Sequence, residues 1–429
     1  MLEGVSMYIM SERMRIHGGI PLKGEVAVSG GKNASLAIIP ATLLASSPCT
    51  LENVPDIEDV RVTIEMLRCL GAEVEFENNV LLVDPTTVKH HSVPYEYASL
   101  MRASYYLAPV LLGLFKRAEV PLPGGCPIGA RPIDQTIKGM TALGADVEIK
   151  GGAIHASTKG LRGADVYLDM VSVGATVNTV LTAVNASGNT TIHNSAKEPH
   201  VVDLANFLNS MGARIKGAGT DTIRVAGGRP LRGSTYTVIP DQIETGTLMI
   251  AAAATRGDVI ISGAIPTHME ALSAKLLEMG VYVGEEDDRI HIRSEGKLRA
   301  VNVKTQVYPG FPTDLQQPMA ALLSTAKGSS TITETIYESR LLYVEELNRM
   351  GANIRLFGRT AVLDGADQLN GAPVTANDLR AGASMIIAGL MAEGVTDIYG
   401  LNCIQRGYDR IDEKLRRLGA RVEILGTGR

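Results

Sequence analysis

A five-residue pattern, Leu/Met-Gly-Ala/Val-x-Val/Ile, occurs six times in this chain, beginning at Leu70, Leu143, Met211, Met279, Met350 and Leu418. The copies are 68 to 73 residues apart. Self-similarity at a fixed period means one supersecondary unit repeated, with each copy burying its apolar face against its neighbours. Each copy ends a segment with apolar residues at helical spacing, such as VDLANFLNSMGARI and YDRIDEKLRRLGARV. Its glycine therefore reads as a helix stop, followed by a short strand pair. Ahead of these helices lie β-branched strands that follow small-residue turns: SGNTTIHNS, RGDVIISGA, KGSSTITET and EGVTDIYGL. The predicted unit is helix, strand, loop, helix, strand, strand.

The first helix of each unit is apolar almost all round: LAIIPATLLA, YYLAPVLLGLF, TVNTVLTAV, TLMIAAAA, PMAALLSTA and SMIIAGLMA. A helix without a polar face belongs inside a core. Three such helices wrapped by sheets and amphipathic helices close one domain, and six units predict two similar α/β domains. The chain's 429 residues suffice for two cores. The boundary is expected near residue 239. Residues 32–239 form the first three-repeat domain, and 1–31 plus 240–429 form the second.

Charge and composition narrow the function. The net charge of −5, without long blocks of one sign, provides no surface for tracking phosphates, so no nucleic-acid partner is expected. The first residues lack a basic stretch followed by an apolar core, which predicts no signal peptide and a cytoplasmic protein. Apolar runs such as YYLAPVLLGLF fall short of a membrane span. Cys49, Cys69, Cys126 and Cys403 are far apart and form no ligand cluster, and the histidines show no HExxH spacing, so no metal site is expected. Cys49 and Cys69 read as small core residues.

The joints of the repeat carry the chemistry. The buried helices begin at SGGKNAS around Lys32, SLMRAS around Arg102, VSVGAT around Gly174, PDQIETG around Asp241, PTDLQQP around Asp314 and NDLRAGAS around Arg380. Three of these starts hold a cation where the helix already presents unpaired N–H groups and partial positive charge, a combination suited to anions. Arg131, Arg340 and Arg406 recur 10 to 12 residues before the repeat's Leu or Met, where other copies hold His200 and His268. If the two domains face each other at these poles, these cations line one cleft for a polyanion, together with Asp314 and Cys126. The stretch GGKN is no nucleotide-binding P-loop, because Val26 stands where the first glycine belongs and Asn33 replaces Ser/Thr. Cys126 sits in PGGCPIGARPID, a glycine-rich loop near Arg131, whose charge favours the thiolate. Such a thiol suits either proton donation or nucleophilic attack.

PGGCPIGARPID, SGGKNAS, MRAS, VSVGAT, PGFPTD, NDLRAGAS and IQRGYDRI run along nearly the whole chain. In these motifs the sequence resembles the enolpyruvyl transferases that act on UDP-N-acetylglucosamine at the start of peptidoglycan synthesis. The resemblance implies two inside-out α/β barrel domains with a ligand cleft between them. It also implies transfer of the enolpyruvyl group of phosphoenolpyruvate to the sugar 3-hydroxyl with release of phosphate, and no metal, organic cofactor or obligate protein partner. By the same matching, Cys126 is the proton donor, also able to form an adduct with phosphoenolpyruvate, and Asp314 is the base. Lys32, Asn33, Arg131 and Arg406 hold phosphoenolpyruvate. Arg102, Arg131, Pro132, Ile133, Asp134, Gln135, Ser172, Val173, Gly174, Asp314 and Ile336 contact the UDP-sugar. Asp378 and Arg380 help close the second domain, Arg340 lies near the cleft, and the Cys126 loop acts as a lid.

Two positions depart from the family pattern. Thr136 stands where many members have histidine, and Met170 where they have a basic residue, which bears on nucleotide affinity rather than on the chemistry. Three other functions compete with this reading. Enolpyruvyl transfer to shikimate 3-phosphate is disfavoured by the cysteine loop, and a non-catalytic UDP-sugar-binding regulator by the presence of both acid and base. A cysteine hydrolase lacks a histidine near Cys126 in sequence.

Overall fold

All six repeat glycines stop their helices in the left-handed region: Gly71, Gly144, Gly212, Gly280, Gly351 and Gly419 have φ between 92° and 109°. That conformation is costly for any residue with a Cβ, so the repeat's glycine is a backbone requirement. The computed structural model describes residues 12–125, 128–129 and 131–426.

Each of the first five stops delivers the chain into an antiparallel hairpin, for example Glu73–Glu77 with Val80–Asp84 and Asn353–Phe357 with Thr360–Asp364. After the sixth, Arg421–Leu425 finds its partner at the other end of the chain. Arg13–His17 pairs antiparallel with it on one side and with Val395–Tyr399 on the other. The N-terminal strand thus completes the last repeat.

A second exchange links the repeats in threes. Val303–Lys304 adds parallel to Ser329–Thr333, Pro373–Thr375 to Val395–Tyr399, and Lys23–Ala27 to Asp258–Ser262. Thr235–Thr237 likewise adds to Cys49–Glu52 and Asp165–Tyr167 to Gly188–His193, while Ser92 forms a single parallel bridge to Glu119. Every repeat lends its last short segment to the next repeat's sheet. The chain accordingly divides into two compact units, one of residues 30–125 and 131–239, the other of 12–29, 128–129 and 240–426.

The architecture is mixed α/β. Among the described residues the strands form six separate sheets, five of four strands and one of three. These sheets do not join into a closed barrel of strands among the described residues. The apolar helices lie inside. In the second unit Gln242–Ala254, Gln316–Leu323 and Leu379–Met391 pack on one another, and Met385, Ile387, Met319 and Met249 are fully buried. In the first unit Leu107–Phe115 packs against both Lys32–Ala41 and Val173–Val184. Truncating such a side chain to alanine costs about 2–5 kcal/mol.

One core expectation fails. Cys49 is buried, but Cys69 is exposed. Helix Glu58–Leu70 buries Met66, Leu67 and Leu70, which leaves Cys69 beside Arg68 on the opposite face. No helix among the described residues is long and apolar enough to cross a membrane.

Candidate functional site

In the first unit the predicted residues gather around Tyr105. Lys32 opens helix Lys32–Ala41 after Gly31, whose extended backbone makes no side-chain cap. Lys32 is 9% exposed, and its ammonium pairs with Asp59 at 2.8 Å. Asn33, next on the helix, is half-buried. That helix packs against the 3-10 turn Arg102–Tyr106. The Arg102 guanidinium donates to the Arg131 carbonyl and lies over the Tyr105 ring, 5.3 Å from its centre.

Gly174 is required at its position. A Cβ there would stand 1.7 Å from the Tyr105 hydroxyl oxygen. Ser172 caps helix Val173–Val184, its hydroxyl accepting from the Ala175 amide at 3.3 Å. Buried Gln135 joins the two loops: its carbonyl oxygen accepts from the Asp169 amide at 2.9 Å, and its amide donates to the Asp169 carboxylate at 3.2 Å. Ile133 packs on Tyr105, while Pro132 and Asp134 are exposed. Arg102, Arg131, Ile133, Gln135 and Ser172–Gly174 therefore share one region. Of the two departures, Thr136 is buried and Met170 exposed.

In the second unit a carboxylate is clamped by two buried cations. Asp314 lies in the 3-10 turn Thr313–Leu315, which leads into helix Gln316–Leu323. Its Oδ1 accepts from Arg340 Nη2 at 2.6 Å, and its Oδ2 from Arg380 Nη2 and Nε at 2.9 and 3.1 Å. Both arginines are 4% exposed, whereas 24% of the Asp314 side chain remains open to solvent. Burial alone would raise the pKa of Asp314, but the Arg340 and Arg380 charges overcome it and hold the carboxyl well below the usual range. Burial alone would lower both guanidinium pKa values, but Asp314 reverses that and keeps them cationic.

Each arginine also faces a ring, Arg340 over Tyr337 at 5.3 Å and Arg380 over Tyr408 at 5.5 Å. Arg340 Nε is buried and has no partner among the described residues. Asp378 caps helix Leu379–Met391, its Oδ1 accepting from the Arg380 and Ala381 amides at 2.8 and 3.1 Å. Those N–H groups are thus already satisfied. The guanidinium of Arg380, at this helix start, pairs with Asp314.

Ile336, half-buried, follows strand Ser329–Thr333, with its amide held by Glu334. Arg406 is half-buried at the end of helix Leu401–Gln405, which packs against Leu379–Met391. Cys126 lies outside the described residues. Ser339, next to Arg340, donates its amide to the Ile128 carbonyl at 3.3 Å. Sequence reasoning did not find Asp59, Tyr105, Asp169 or Glu334. Their roles depend on partners brought together by the fold, and none stands in a repeat-matched polar position.

Comparisons with known proteins show what the chain is similar to. The profile of EPSP synthase (3-phosphoshikimate 1-carboxyvinyltransferase) matches residues 16–415. UDP-N-acetylglucosamine 1-carboxyvinyltransferase 3 of Caldanaerobacter subterraneus is 55% identical over 96% of this chain and 99% of its own. UDP-N-acetylglucosamine 1-carboxyvinyltransferase of Clostridium botulinum is 56% identical over 96% of this chain and all of its own. Among solved structures, the enolpyruvyl transferase NikO from Streptomyces tendae superposes with a TM-score of 0.87 at 26% identity, covering 96% of this chain and 99% of that one. EPSP synthase from Acinetobacter baumannii has the same fold, with a TM-score of 0.74 at 21% identity over 96% of this chain and all of that one. On these grounds the chain belongs to the UDP-N-acetylglucosamine 1-carboxyvinyltransferase family.

Proposed function

We propose that this protein transfers the enolpyruvyl group of phosphoenolpyruvate to the 3-hydroxyl of UDP-N-acetylglucosamine, the first committed step of peptidoglycan synthesis. The sugar oxygen bonds to C2 of phosphoenolpyruvate while C3 gains a proton. In the second step C3 loses a proton, the C2–O bond to phosphate breaks and the double bond returns. The observation that carries this reading is the Asp314 clamp. Two buried arginines fix the orientation of the carboxylate, and its open quarter leaves room for a hydroxyl to approach it.

Cys126 delivers the proton to C3, and its loop closes over the substrates as a lid. Lys32, Asn33, Arg131 and Arg406 hold the phosphate and carboxylate of phosphoenolpyruvate. The Tyr105 region, with Arg102, Arg131 to Gln135 and Ser172 to Gly174, takes the UDP-sugar together with Ile336. Asp378, Arg380 and Arg340 organise the base. Each unit is the inside-out domain of the family, helices within and sheets outside, divided at residues 32–239 against 1–31 plus 240–429. The enzyme works in the cytoplasm on its two small-molecule substrates.

Phosphate release from phosphoenolpyruvate tests the assignment, measured with UDP-N-acetylglucosamine, with shikimate 3-phosphate and with neither. Release that depends on the UDP-sugar is expected. Release that depends on shikimate 3-phosphate, or none in any arm, refutes it.

A further inference from the structure

Glu334 is a fully enclosed carboxylate, 1% exposed, at the end of strand Ser329–Thr333. Four donors converge on it. Oε1 accepts from the Thr305 hydroxyl at 2.9 Å and from the Ile336 and Tyr337 amides at 2.7 and 3.2 Å. Oε2 accepts from the Thr313 hydroxyl at 2.8 Å.

The direction of both hydroxyl protons is fixed by their other partners. Thr305 Oγ1 accepts from the Thr335 amide at 2.8 Å, so its own proton points to Glu334. Thr313 Oγ1 accepts from Arg340 Nη1 at 3.0 Å, so its proton does the same. All four groups donate, so both carboxylate oxygens act as acceptors.

The consequence reaches the base. Arg340 is bracketed by three things: the Asp314 carboxylate, the Thr313 hydroxyl and the Tyr337 ring. Glu334 holds two of them, Thr313 through its hydroxyl and Tyr337 through its backbone amide. It also fixes the backbone of Ile336.

Building on the proposed function, we infer that Glu334 is a positioning residue for the transfer reaction. Through Thr313 and Tyr337 it sets the guanidinium that orients Asp314, and through the Ile336 amide it shapes the sugar-nucleotide contact. It touches no reacting atom, and its effect passes through those neighbours. Glutamine at this position keeps the shape but presents an NH₂ donor to other donors, releasing at least one of the four contacts. A shift of about 1 Å in a positioned group can cost about 10²-fold in rate.

The test uses the full chain and the UDP-sugar-dependent phosphate release assay, with kcat and the KM for each substrate. Glu334→Gln should lower kcat by about 10- to 100-fold and raise KM for UDP-N-acetylglucosamine, while leaving KM for phosphoenolpyruvate within about twofold. Thr313→Val should lower kcat alone, because the Ile336 amide stays held, and Thr313→Ser should restore it. In the double variant Glu334→Gln/Thr313→Val, kcat should fall no further than in Glu334→Gln, since one relay is cut twice. Wild-type kcat in Thr313→Val, equal loss in Thr313→Ser, or single losses that multiply in the double variant would overturn the inference. Should Glu334→Gln fail to fold, the two Thr313 variants decide by themselves. Absence of UDP-sugar-dependent release in the unsubstituted protein defeats the proposed function itself, before any variant is compared.

Discussion

Asp314→Asn tests the clamp on two axes at once. In the native protein one carboxylate neutralises two guanidinium groups, each 4% exposed, at 2.6 and 2.9 Å. Asparagine keeps one acceptor oxygen, turns an NH₂ toward the other arginine and leaves two buried cations without a counter-charge. Breaking a buried pair by removing one partner typically costs about 3–5 kcal/mol. The open quarter of Asp314 admits water and argues for the lower end, about 3 kcal/mol. For a unit of this size that is a fall of about 6–12 °C in the melting temperature of its transition. Calorimetry at pH 7 reads it.

The pH dependence has a definite sign. The folded pKa of Asp314 is depressed, so the carboxylate's stabilisation is fully present above the unfolded value of about 3.9 and is lost as pH falls below it. The gap between wild type and Asp314→Asn should therefore be constant from pH 5 to 8 and shrink below pH 4. On the chemical axis, losing the base should cost about 10²- to 10⁴-fold in kcat. An Asp314→Asn protein with wild-type melting behaviour would refute the clamp, and one with wild-type turnover would refute its role as base.

Two further outcomes follow from other residues. Cys126→Ser should abolish turnover while Cys126→Asp retains part of it, since a carboxylic acid can also supply a proton, and fosfomycin should alkylate the peptide that contains Cys126, as mass spectrometry would read. Asp203 is buried, which pushes its pKa up to about 6 against the opposing hydrogen bonds from Tyr236 and the Ile239 amide. The folded state therefore holds the extra proton between about pH 4 and 6, and stability contributed by this group should decline by roughly 3 kcal/mol across that window as pH rises. Denaturant titrations of wild type and Asp203→Asn should differ in slope there and run parallel above pH 7.

The repeat was legible because its signals are local. A glycine that must adopt positive φ and a helix apolar all round announce themselves without knowledge of partners, and Gly71, Gly419 and Met385 behave as their sequence context predicts. Side-chain pairing is a different matter. Arg380 reads as an anion-binding cation at a helix start, yet its guanidinium crosses to a carboxylate 66 residues earlier while Asp378 takes up the helix N–H groups. Glu334 looks like an ordinary strand-end glutamate, and Cys69 failed because a single step around a helix separates its buried and exposed faces. Such assignments depend on which side chain the fold brings opposite, and a sequence does not contain that distance.

Two of the three cation-bearing helix starts thus take different roles. Helix Leu379–Met391 is closed by Asp378, and its Arg380 is committed to Asp314. Helix Lys32–Ala41 begins at Gly31 without any side-chain cap and carries the buried Lys32 ammonium in its first turn. Both side-chain charges are paired, Lys32 with Asp59 and Arg380 with Asp314, but only helix Lys32–Ala41 has no side-chain cap on its first N–H groups, so it is the better seat for a phosphorylated acid. Lys32→Gln should accordingly raise KM for phosphoenolpyruvate by about tenfold or more, an effect equivalent to about 1.4 kcal/mol of binding. Arg380→Gln should instead lower kcat with KM for phosphoenolpyruvate within about threefold, because it disturbs the base rather than the anion. Steady-state titration of phosphoenolpyruvate at saturating UDP-sugar separates the two. If Arg380→Gln proved to be the variant with the large KM effect, the division of labour argued from the caps would be wrong.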